Sequence, residues 1–130
     1  MTRIELPAPV PLSACFKNVR VRSKTTGKVV QTRAPTGRYM AWQNEAIQMI
    51  MAQKAQPIKG RVSIYVRLVA PDKRPRDAGN TDKAIMDILT KSGIIEDDSN
   101  RYVRRVTFEW RDEGPACVVV IQEHVEEMAA

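Results

Sequence analysis

Residues 61–70, RVSIYVRLVA, set the fold of this chain. Val62, Ile64, Val66, Leu68 and Ala70 alternate with Arg61, Ser63, Tyr65 and Arg67. That period of two sends one row of side chains into a core and the other toward water, so the segment reads as a half-buried strand. A strand cannot stand alone, and the neighbouring segments must pair with it or cover it. Downstream, 102–111 alternates again, Gly114 and Pro115 make a turn, and 116–122 is a nearly continuous apolar strand. Upstream, residues 3–6 form a short first strand, ended by PAPVP because proline lacks the amide a ladder needs.

Two segments have helical spacing instead. From Arg38 to about Lys54, the residues Tyr39, Trp42, Ala46, Met49 and Ile50 recur at threes and fours on one face, and Pro57 and Gly60 close the element. From about Asn80 to Ser92, Ala84, Ile85, Ile88 and Leu89 make a face to bury, and Gly93 stops the helix. Asn80 is the expected N-cap, with Asp82 in the first turn, where the helix dipole favours negative charge. Residues 13–37 form a long arm in which the valines at 19, 29 and 30 predict at most a loose hairpin. The expectation is one small α/β (α+β) domain over 1–130, with a mixed sheet of about four strands and two main helices.

Composition narrows the class. At 130 residues with 43% hydrophobic and 28% charged residues, the chain is sized for one ordinary globular core. No apolar run approaches the roughly 18 residues of a spanning helix, and prolines interrupt the segment before Leu12-Ser13-Ala14-Cys15, which argues against a lipoprotein box. Cys15 and Cys117 have neither metal-ligand spacing nor disulfide density, so a reducing, cytoplasmic location is expected. The single histidine, His124, reads as part of a solvated acidic tail with Glu123, Glu126 and Glu127, and Trp42 and Trp110 read as core or sheet-face aromatics.

Charge is unevenly distributed about a net of +6. Between Leu6 and Asn44 there is no acid, while Lys17, Arg20, Arg22, Lys24, Lys28, Arg33 and Arg38 are all present. Such a surface suits a polyanion, whose phosphates exchange condensed counterions for these side chains. The acids gather elsewhere: Asp77, Asp82, Asp87, Glu96, Asp97 and Asp98 fall within residues 74–99. Asn80, Lys83 and Asp87 share one side of the helix, and Asp82 is expected to point away from them. The flanking loops that carry Asp77 and Asp97-Asp98 lie roughly 18 Å apart along such a helix, so a common site requires the chain to fold back across it. Grouped carboxylates repel unless a cation separates them, and hard oxygen donors suit magnesium or manganese.

RDAGNTDKAIMDILTKSGIIEDDS, residues 76–99, resembles the RusA family of phage and bacterial Holliday junction resolvases. The likeness lies in an Arg-x-Asp-like entry, an asparagine, a lysine three residues on, an aspartate four beyond that and a closing Asp-Asp. It extends more weakly to Leu6-Pro7, Ser13, the basic arm and Tyr39. The resemblance implies a magnesium-dependent, homodimeric endonuclease that binds four-way DNA junctions and nicks two opposed strands in recombination and repair. Carried over residue by residue, it makes Asp77, Lys83 and Asp98 catalytic, and Asp77, Asp98, Asp97 and Asp87 ligands of Mg2+ (or Mn2+). Lys17, Arg20, Arg22, Lys24, Arg74, Arg76, Asn80 and Arg104 become DNA contacts. No membrane and no small-molecule cofactor is expected. Gly79 departs from the pattern, standing where the family carries a further aspartate. The alternative is therefore a non-enzymatic or impaired junction-binding protein, in which the acids serve as caps.

Overall fold

The computed structural model describes residues 1–126; Glu127, part of the expected acidic tail, lies outside them. Along the chain run β1 (Thr2–Leu6), β2 (Phe16–Arg22), β3 (Val29–Pro35), α1 (Gly37–Ala52), β4 (Val62–Val69), α2 (Asp82–Lys91), β5 (Val103–Arg111) and β6 (Cys117–Glu123). Single 3-10 turns at Leu12–Ala14 and Ala78–Thr81 precede β2 and α2.

The four-stranded sheet has the order β1-β6-β4-β5. β4 and β5 run parallel, with α2 as the crossover that parallel neighbours require, and β6 pairs antiparallel with both β1 and β4. The sheet is thus mixed and the domain α+β, as the sequence predicts. β4 pairs on both sides, and its inward row, Val62, Ile64, Val66 and Leu68, is buried. The helices bury Tyr39, Trp42, Ala46 and Ile50 from α1 and Ala84, Ile85, Ile88 and Leu89 from α2 in the same core. Met49, expected in the α1 stripe, is only half-buried, while Gln43 is buried.

Three local expectations need correction. The arm is a full hairpin: β2 and β3 pair without a break from Phe16 opposite Pro35 to Arg22 opposite Val29, closed by a turn in which Gly27 has φ 70°. The ribbon forms its own two-stranded sheet, and nearly all its residues are exposed, so no apolar alternation marks it. Its base is tied down by Phe16, which meets Tyr39 edge-on with ring centroids 5.6 Å apart, and by Arg33 stacked over Phe16.

Asn80 does not cap α2. The chain first makes the 3-10 turn Ala78–Thr81, whose cap is Asp77, with Oδ1 accepting from the Gly79 amide at 3.0 Å. α2 then starts at Asp82. Finally, His124 is not in a solvated tail. Its ring is 5% exposed, its Nδ1 lies 2.6 Å from Ser63 Oγ, and its backbone amide donates to Arg61 O. Pairing of β6 with β4 places it there, and this explains why Ser63, on the outward row of β4, is buried.

Candidate active site

A groove of about 960 Å³ opens where the chain leaves the end of β4. Pro9 and Pro11 from the segment after β1, Arg38 from the start of α1, and Trp110 near the end of β5 form its walls, and Arg74, Arg76, Asp77 and Asn80 enter from the loop before α2. The acidic entry residue and three arginines therefore share one concavity. Asp72, at its rim, holds two of the guanidinium groups: its Oδ2 accepts from Arg74 Nε and Nη2 at 3.1 and 3.0 Å and from Arg76 Nη2 at 2.7 Å. These charge-assisted bonds keep the Asp72 carboxyl far below the usual carboxylate range, Arg74 contributing most.

On α2, Lys83 Nζ donates to Asp87 Oδ1 at 3.0 Å, the i,i+4 contact the sequence spacing allows. The other oxygen of Asp87 accepts from the Tyr39 hydroxyl at 2.9 Å. Tyr39 is 1% exposed, and burial together with that bond to a carboxylate raises its hydroxyl well above the ordinary value. Asp87 therefore links a core tyrosine on α1 to a half-exposed lysine, with both its oxygens engaged.

Asp82 opens α2 and is exposed. Desolvation by its surroundings nonetheless raises its carboxyl, and the charges of Asp98 and then Asp87 push it further in the same direction. The chain turns back after α2, and the charge of Asp98 in that loop reaches Asp82. Ile94 and Ile95 anchor that return, buried in the core and with their amides donating to Leu89 O. Asp97 is held within its own turn by Ser99 and by the Asp98 amide. Glu96 accepts from the Gly60 amide at 2.9 Å and serves to close the loop after α1.

Among the described residues, no three His, Cys, Asp or Glu side chains are gathered as ligands of one ion. Magnesium is commonly held by one or two carboxylates with water completing its shell. Asp82 and Asp98, all-oxygen donors whose mutual repulsion already raises one of them, fit that requirement. Asp77 stands at the opposite end of the Ala78–Thr81 turn from Asp82, roughly 10 Å of helical rise away. Gly79 lies between. It has no positive φ, and a Cβ built there would sit 3.4 Å from Asp77 Oδ1, an ordinary contact.

Of the expected DNA contacts, Arg74, Arg76 and Asn80 meet in the groove. Lys17, Arg20, Arg22 and Lys24 are exposed on the ribbon and its turn, where Arg22 Nη1 donates to Gly27 O. Arg104 is near the opposite end of β5 from Trp110, roughly 20 Å along the strand, bonded to Asn100 O and Glu126. Sequence reasoning passed over Asp72, Tyr39 as the partner of Asp87, and the coupling of Asp82 to Asp98.

The profile of the endodeoxyribonuclease RusA family matches residues 11–122. The crossover junction endodeoxyribonuclease RusA of Aquifex aeolicus (strain VF5) is 33% identical over 103 residues, covering 76% of this chain and 75% of that protein.

Proposed function

This chain belongs to the RusA family of endodeoxyribonucleases, enzymes that act on DNA phosphodiester bonds, and from that membership we propose that it resolves four-way junctions by paired nicks, as a homodimer with a divalent ion, magnesium or manganese. The observation that carries the proposal at the level of chemistry is the Tyr39–Asp87–Lys83 relay beside the Asp82–Asp98 pair. Tyr39 fixes Asp87 from the core, Asp87 fixes Lys83, and the ammonium is set to offset charge developing on a scissile phosphate. In this reading Asp87 positions Lys83 rather than binding metal, and Asp97 shapes the turn that presents Asp98.

Asp98 and Asp82 would hold the ion, with Asp77 facing the substrate groove. Asp82, three residues beyond Gly79, supplies the carboxylate that position 79 lacks. A divalent ion there provides Lewis-acid polarisation of the phosphate and an acidified water. Arg38, Arg74 and Arg76 in the groove, with the basic ribbon, hold the flanking backbone. A two-fold symmetric junction calls for two such sites, hence a C2 dimer.

The test is incubation with a labelled four-way junction across a range of magnesium and manganese concentrations. Paired incision is expected, and Asp98→Asn and Lys83→Ala should each abolish it. Absence of paired incision at every metal concentration overturns the proposal. The second reading, junction binding without hydrolysis, is favoured by Gly79. It requires salt-sensitive binding that Asp98→Asn leaves uncleaved and undiminished.

A further inference from the structure

The chain's two tryptophans have opposite environments. Trp42 is 5% exposed and donates Nε1–H to Pro7 O at 3.1 Å, whereas Trp110 is 39% exposed on the edge strand β5. Trp110 belongs to the inward row of that strand. Phe108 and Val106, two and four residues earlier, pack against the core, whereas Trp110 opens on the groove. The indole is a wall of that groove and also of a smaller cavity of about 210 Å³. Arg74 and Arg76 border both cavities, and Pro71 and Pro75 add apolar surface to the larger. Asp72 organises the two guanidinium groups through one shared carboxylate oxygen.

An aromatic face set among arginines matches a nucleotide: the ring takes the base, the guanidinium groups the phosphates on either side. Resting on the junction-resolving function proposed above, we propose that Trp110 is a stacking platform for a base left unstacked at a DNA branch point. In continuous duplex both faces of every base are covered by neighbours, so the platform gains nothing there. At a branch the stack is broken and a face is free. Phosphate contacts from the arginines and the ribbon are alike on linear and branched DNA, so Trp110 supplies discrimination that they cannot.

The test compares the full-length protein with Trp110→Ala and Trp110→Phe, binding a labelled four-way junction and a linear duplex of the same composition without divalent ion. Trp110→Ala should lose about tenfold in junction affinity and less than about twofold in duplex affinity, while Trp110→Phe keeps most of both. Junction binding should quench the tryptophan fluorescence of the wild type, since Trp42 is shielded, and Trp110→Phe should abolish the quench. Equal losses on junction and duplex, or a quench that persists in Trp110→Phe, overturns the inference, and the phenylalanine variant decides the matter if the alanine variant does not fold. A junction preference that survives Trp110→Ala sinks the stacking role alone. A wild type with no junction preference sinks the junction-resolving function as well.

Discussion

Under the proposed function, stability and metal binding oppose each other at Asp82. Its carboxyl is raised above the ordinary value, so its ionised form is disfavoured in the folded chain. The sign follows: stability linked to this group is fully present below the unfolded carboxyl value and falls as pH rises through the raised one. Asp82→Asn should therefore raise the melting temperature at neutral pH, by differential scanning calorimetry, while removing the stabilisation that added magnesium or manganese gives the wild type. Gly79→Asp is accommodated by the backbone and by the 3.4 Å clearance to Asp77. In the Asp82→Asn background it should restore cleavage. A double variant as inactive as the single one would mean that Asp82 is not the substitute for the missing acid.

At the scale of elements, legibility followed burial. β4 was readable because its alternation faces a core on one side, and α2 because Ala84, Ile85, Ile88 and Leu89 repeat at helical spacing. The β2–β3 ribbon was not, because a strand pair exposed on both faces has no reason to alternate, and only Phe16 at its base reaches the core. The 3-10 turn before α2 was hidden for another reason: Asp77 caps it through a side-chain bond to Gly79, and an aspartate before a helix does not announce which turn it caps. The ribbon's function is accessible to measurement. Arg20 and Arg22 are exposed there with no carboxylate partner on neighbouring strand positions. Replacing both with alanine should lower the slope of log affinity against log salt by about two for junction and duplex alike, with cleavage at saturation kept.

At the scale of the molecule, several protonated groups are sealed in the core. Burial pushes the Cys117 thiol up to about 12 and raises Cys15, and burial with Asp87 raises Tyr39 beyond the ordinary phenol range. Above the ordinary thiol and phenol values the unfolded chain releases protons that the folded chain keeps, so stability should fall from about pH 9 upward. Urea titrations at stepped pH measure this, and Tyr39→Phe should flatten part of the fall. For assembly, sedimentation equilibrium should show a dimer, and a strict monomer that nonetheless makes paired cuts would remove the reason for requiring one.

Periodicity and composition determined the strands that face a core, both helices, the mixed α+β class, and the residues 76–99 that carry the family pattern, because each is a local relation between neighbours along the chain. The reach of the Asp98 charge to Asp82, the bond from Tyr39 to Asp87, the burial of His124 on Ser63, and the exposure of Trp110 beside Arg74 and Arg76 were decided by tertiary structure. Each of these joins residues that sequence spacing does not bring together, and only packing of the helices and loops on the sheet sets their separation.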